Sequence, residues 1–405
     1  MAFLLVVLFG EPAIAHAGDL PPTASSNQGE TVWDQELSRR YAHTRWRLFF
    51  LRQGALFALL AAFALTGASA ALRNAIGEKI GPAWAADATY FAAVVVLFAL
   101  LMAPLSFYGG YAVEHRFGLS NQTPGSWLLD SLKSLGVTLV IAVPLLMLFY
   151  AILRRWPERW WLVFSGACVP LIVFLVVIAP VVIDPLFNEF RPLEEGPLKS
   201  RLLEMASEQG VSVQGVFVVD KSKQTKKVNA YVTGLFGSKR IVLWDTLLQR
   251  FTAREVQAVM AHEMGHYVKR HVWWGVAVAA LTVAVLSCIV ARWAPLLVAL
   301  LLKSGILRVQ EAASLPMIAA LFMFLLFFAS PLTSAASRHM ERTADRFALH
   351  VTGDGAVAAR AFEKLAGINL ADPEPSRLLV FWFYSHPPVA ERIREARAYG
   401  RRQPP

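Results

Sequence analysis

Apolar residues along this chain gather into six long blocks, at about 49–72, 87–107, 135–153, 159–183, 271–302 and 314–336, with polar stretches between them. A helix rising 1.5 Å per residue needs roughly 20 apolar residues to cross a bilayer, and every block is near or above that length. The pattern predicts six transmembrane helices. A shorter apolar run opens the chain, MAFLLVVLFGEPAIAHA, interrupted by Glu11-Pro12 and ending in Ala15-His16-Ala17. Residues 1–17 are read either as a signal peptide, although the basic leading region is missing, or as a poor first span. Residues 18–48 are polar and end in a basic, aromatic juncture that includes Arg39, Arg40, Tyr41, Arg45, Trp46 and Arg47.

Between the fourth and fifth blocks the period changes. Residues 194–209 carry the 3.6-residue repeat of an amphipathic helix, 213–220 read as a buried strand, and 229–234 with 240–244 as the two arms of a hairpin. A helix follows over 253–270. Beyond the sixth block, 337–350 continues as a helix, and 354–366 and 386–399 form two more. The expected fold is mainly α: a polytopic membrane protein of six to seven spans with a small α+β unit bearing a β-hairpin. Its parts are 1–17, an N-terminal transmembrane region 18–183, a soluble insert 184–270, a transmembrane pair 271–336 and a C-terminal region 337–405.

Composition agrees, since 56% hydrophobic residues and a mean hydropathy of +0.46 exclude an ordinary soluble domain. The net charge of +10 raises the question of nucleic acid. Its Lys and Arg are spread over loops with no aromatic-interleaved basic module, so no nucleic-acid partner is expected. The charge carries topology instead. Segments 38–48, 108–134, 184–270 and 337–405 share one face and hold most of the basic residues, which places them in the cytoplasm. Arg154 and Arg155, on the other face, run against this, and a cleaved signal peptide would place residue 18 outside. Cys168 and Cys288 lie in apolar blocks and read as small buried hydrophobes.

The chemistry is concentrated in His262-Glu263-Met264-Gly265-His266. Residues four apart share a helix face, so two imidazoles can meet one Zn²⁺ with Glu263 beside its open position. A catalytic zinc takes three protein ligands and a water, so a third donor must come from another element. Glu341 is the candidate because it follows the sixth span as the histidines precede the fifth, and Asp345, one turn on, could orient a ligating imidazole. Spacing leaves a second reading open, a solvated helix face paired with Arg338 and Arg342. His271, five residues past His266, reads as a marker of the membrane interface beside Trp273 and Trp274; His339 and His350 read as surface residues. His386, held by Pro387-Pro388, could cap a helix or present a polar group to the site. His386 or Arg392 could stabilise an oxyanion. Asn229, Ala230, Tyr231, Val232, Thr233 and Gly234 form either an edge strand for an extended peptide or a hairpin arm with no ligand.

These motifs resemble, in order and over nearly the whole chain, those of the CAAX prenyl protease 1 family, integral-membrane zinc metalloproteases of gluzincin type. The resemblance rests on Glu114 to Thr123 with Asp130 and Lys133, Ile183 to Asn188, Asn229 to Gly234 with Lys239 to Leu248, the zinc helix, Glu341 with Asp345, and His386-Pro387-Pro388 with Arg392. It implies His262, His266 and Glu341 as ligands of one zinc, Glu263 as general base and Asp345 as the orienting carboxylate. Asn229, Ala230, Tyr231 and Gly234 would hold substrate backbone, with His386 and Arg392 near the reacting carbonyl. It also implies a large intramembrane chamber ringed by the spans. Residues 1–17 depart from the family's first span.

The expected function is a membrane-embedded zinc endopeptidase acting on peptide or protein substrates, lipidated or membrane-associated, by CAAX-type or quality-control proteolysis. Composition rich in Ala, Leu and Arg suits a bacterial inner membrane, with the site facing the cytoplasm. A transporter or non-catalytic zinc-binding membrane protein is the alternative, and it has no need of Glu263.

Overall fold

The computed structural model describes residues 33–401, so the readings made for residues 1–17 lie outside the described residues. Among the described residues six helices are long and apolar enough to cross a bilayer. The first apolar block is split. Helix α1 (Gln35–Leu65), capped by Asp34, stops at Thr66, Gly67 turns left-handed at φ 79, and α2 (Ala68–Lys79) starts anew. Glycine takes that conformation without the Cβ penalty, and hydropathy alone cannot register the turn. The span expected at 49–72 therefore shifts towards the N-terminus.

Helices α3 (Ala83–Phe107, continuing through a π-helical turn to Arg116), α4 (Pro124–Arg155) and α5 (Trp160–Ile178) follow. Their core is aromatic: Phe91 stacks on Tyr150 and Phe149 meets both Tyr150 and Trp160 edge-on. On the side away from the insert, Arg154 pairs at 2.7 Å with the buried Asp87 and donates to the Gln310 carbonyl.

The insert is built round a four-stranded sheet, β1 (Phe190–Pro192), β2 (Val216–Val219), β3 (Ala230–Thr233) and β4 (Arg240–Trp244), in the order β1-β2-β4-β3. β2 and β4 run parallel; β3 and β4 form the expected antiparallel hairpin, with Tyr231 opposite Val242. Gly234, at φ 92, must be glycine because a Cβ there would collide with the Ser238 carbonyl. Helix α6 (Pro197–Glu208) turns Leu202, Met205 and Ala206 onto the sheet.

Helix α7 (Ala253–Val268) carries the zinc motif, and Thr252 and Glu255 close a reciprocal capping box at its start. It buries Val256, Met260 and Met264 against Ile241 and Leu243. The helix ends at Lys269, Arg270 turns left-handed at φ 57, and α8 (His271–Leu300) begins at once. Helix α9 (Leu315–Thr352) is continuous, so the expected division at 336/337 falls inside one element. The chain closes with α10 (Gly355–Ile368), α11 (Arg377–Phe383) and α12 (Val389–Gly400).

Candidate active site

The site exists because α7 and α9 approach closely. A Cβ on Gly265 would stand 3.0 Å from the Phe347 ring and 3.2 Å from the Ala344 Cα, so the glycine inside the motif is what lets the two helices touch. That contact sets Glu341 against the two imidazoles. His262 Nε2 and His266 Nε2 are 3.1 Å apart, Glu341 Oε2 is 3.3 Å from the first, and Glu341 Oε1 is 3.5 Å from the second. Two donors bound about 2.05 Å from one tetrahedral ion stand roughly 3.3 Å apart. The buried Glu341 Oε2 accepts no well-formed hydrogen bond among the described residues, leaving a lone pair aimed at the same point. Donor type, spacing and this orphaned oxygen fit a zinc ion.

The reading of Glu341 and Asp345 as a solvated, Arg-paired face does not hold. Both carboxylates are buried. Arg338 donates instead to the Val380 and Tyr384 carbonyls, and Arg342 pairs with Glu391. Asp345 Oδ1 lies 2.8 Å from His262 Nδ1 and fixes that ring with Nε2 towards the ligand cluster. Arg392 grips Asp345 through two hydrogen bonds of 2.8 and 2.7 Å and lies 4.2 Å over the Phe362 ring. Its charge is engaged by Asp345, its Nη2 also lies 3.5 Å from His262 Nδ1, and it lines the adjoining cavity. His386 comes within 3.3 Å of Glu341 Oε1, while its Nδ1 shares a hydrogen bond with the Ser385 hydroxyl. The residue capping α12 is Pro388, so His386 is not the helix cap.

Sequence reasoning missed His271. It is 8% exposed, and its Nδ1 lies 3.1 Å from His266 Nδ1 while its Nε2 lies 3.0 Å from the Thr343 hydroxyl, which donates to the Met340 carbonyl. The expectation of an interfacial marker assumed an unbroken helix, and the turn at Arg270 redirects the ring. The basic pair Lys269-Arg270 offered only a faint signal of that turn. Asn369 was missed as well: buried, it clamps both the N–H and the carbonyl of Val228 at 3.0 Å, next to Asn229.

Electrostatics separate the two imidazoles. Burial disfavours the charged form of His262, but Asp345 and Glu341 outweigh it and hold the ring up to about 10. His266 has burial and the neighbouring His262 charge acting together, and falls to about 3. Glu263, open on one side to the cavity, is lifted by burial to about 7, against the pull of His262.

A cavity of about 1130 Å³ runs from Phe98 and Leu135 on the spans to His262, Glu263 and His386. Of the hairpin residues expected to hold substrate, Asn229 lines it and Ala230, Tyr231 and Gly234 do not. β3 is the outer strand of the sheet. The Asn229 carbonyl accepts from Trp244 N, so alternation turns the Ala230 and Val232 backbone groups to the free edge. Part of that edge is already engaged: the Ala230 N–H donates to the Asn229 side chain, and the Tyr267 hydroxyl lies 3.4 Å from the Val232 carbonyl and donates to the Gly234 carbonyl at 2.8 Å. The edge open to a peptide is therefore short.

A model of peptidase family M48 matches residues 192–399, and one described as the CAAX prenyl protease N-terminal region, five membrane helices, matches 16–189. The chain belongs to peptidase family M48. Among relatives, the uncharacterized metalloprotease YhfN of Bacillus subtilis is 32% identical over 364 residues, covering 89% of this chain and 84% of that one. CAAX prenyl protease 1 of Saccharomyces cerevisiae is 41% identical over 171 residues, 42% of this chain and 38% of its own. The crystal structure of S. mikatae Ste24p superposes with a TM-score of 0.74 at 26% identity, covering 97% of this chain and 95% of that one. This M48 protein is accordingly a multi-pass membrane protein with a Ste24p-like fold, and a zinc-dependent metalloendopeptidase of CAAX prenyl protease type.

Proposed function

We propose that the chain hydrolyses peptide bonds of membrane-associated proteins at a single zinc held by His262, His266 and Glu341, with Glu263 as general base. The observation that carries this is the convergence of three ligand atoms beside Glu263 at one wall of an intramembrane cavity. A bound zinc supplies polarisation of the scissile carbonyl and acidification of a water. Glu263, held near neutrality by its surroundings, takes the proton from the attacking water and returns it to the departing amine. His386 projects into the cavity beside Glu341 and donates to the oxygen that gains charge in the transition state. Arg392 and Asp345 keep His262 in the ligating tautomer. The substrate strand adds to β3 through the Ala230 carbonyl and Val232 N–H, with Asn229 at the cavity wall. The apolar upper cavity suits a hydrophobic or lipidated C-terminus, and the soluble insert faces the cytoplasm.

Glu263→Gln separates this reading from a metal-binding protein without hydrolysis. Cleavage should fall about 10²–10⁴-fold while zinc content, read by metal analysis, stays at one per chain. Full activity in that variant, or in protein stripped of metal, overturns the mechanism. A farnesylated C-a-a-X peptide and an unfolded unmodified protein, offered in parallel, decide between CAAX-type and quality-control proteolysis.

A further inference from the structure

We propose a second binding site, for the headgroup of an anionic phospholipid, in a groove between α8 and α9. This groove of about 720 Å³ shares no lining residue with the catalytic cavity. Around one end stand Lys269, Arg346 and His350, with His339 about 10 Å along α9 from Arg346, all exposed. No Asp or Glu lines it, and none of the four has a carboxylate partner among the described residues. The Lys269 ammonium stands 5.9 Å from the centre of the Phe347 ring, and both residues line the groove.

The other end is apolar, formed by Val278, Ala336 and the inner edge of Trp274. It continues onto Leu332 of α9, 77% exposed, and Leu281 of α8, 66% exposed, both in the apolar part of their spans. Trp273 and Trp274 lie exposed where the two characters meet, the level at which tryptophan marks a bilayer surface. A cationic mouth that passes over about three helical turns into a lipid-facing trough matches a molecule with a phosphate at one end and an acyl chain at the other. Free phosphate would leave the trough unfilled, and a neutral lipid would leave the cations unpaired. The floor of the groove is His271, one side chain away from the ligand His266.

The test is native mass spectrometry of the full chain from micelles holding equal phosphatidylglycerol and phosphatidylcholine. Phosphatidylglycerol should be retained in about tenfold preference. Lys269→Gln with Arg346→Gln should abolish the preference. Arg394→Gln with Arg401→Gln, two exposed cations at the far end of the chain, should keep it. Ala336→Phe, which plugs the trough without touching charge, should lower retention too, and it decides the matter if the first pair loses its zinc through misfolding. Equal retention of the two lipids, equal losses in both charge variants, or displacement of the lipid by millimolar inorganic phosphate overturns the proposal.

Discussion

At the scale of single residues, the two ligating histidines share a motif but differ in environment, and that difference has a measurable consequence. His262 is held up to about 10 by Asp345 and Glu341 against burial, so the metal-free ring carries a proton throughout the neutral range. Ligation needs the neutral ring, so proton and zinc compete for Nε2. Zinc affinity should weaken as pH falls, by about tenfold per pH unit between pH 6 and 8, in a chelator competition. Asp345→Asn should flatten that slope, because burial and Arg392 then leave the ring neutral, and lower zinc affinity by about 10–100-fold. A slope near zero in the unsubstituted protein contradicts the assignment. His262, Glu263 and His266 were legible because helix periodicity sets them together, whereas spacing left Glu341 as one of two readings and the family resemblance chose between them. His271 and Asn369 were not: each acts through a contact that depends on a turn or on a partner about 140 residues away, and neither leaves a periodic trace.

At the scale of elements, the pattern of apolar blocks located five spans closely and misplaced the first. A break made by Gly67 costs no hydropathy, and α1 draws on polar residues 35–48 that no membrane criterion would include. The hairpin was legible from its alternation. Its reach as a substrate edge was not, since Tyr267 of the neighbouring helix takes the Gly234 carbonyl. The approach of α7 to α9 is likewise set by one absent side chain. Gly265→Val should push Phe347 and the Ala344 backbone aside, cost about 1–3 kcal/mol in overpacking, and lower zinc content. Thermal unfolding with and without added zinc checks this. A variant that unfolds like the parent and keeps its metal would show the contact to be slack.

At the scale of the whole molecule, Arg154 and Arg155 ran against the expected topology, and the structure gives the first of them a structural task. Its guanidinium is held by the buried Asp87 at 2.7 Å and by the Gln310 carbonyl, so it ties α3, α4 and the segment before α9 together. The cytoplasmic orientation proposed for the insert has a direct test. A membrane-impermeant thiol reagent on spheroplasts should label Glu78→Cys, exposed in the last turn of α2, and spare Glu195→Cys, in the insert. The reverse pattern refutes the orientation.

Because α9 is at once a membrane-spanning rod and the carrier of Glu341, the third ligand of the proposed zinc site is anchored to the bilayer by an unbroken helix. A tilt of that one helix, such as a thinner or thicker bilayer would impose, would shift Glu341 relative to the two imidazoles.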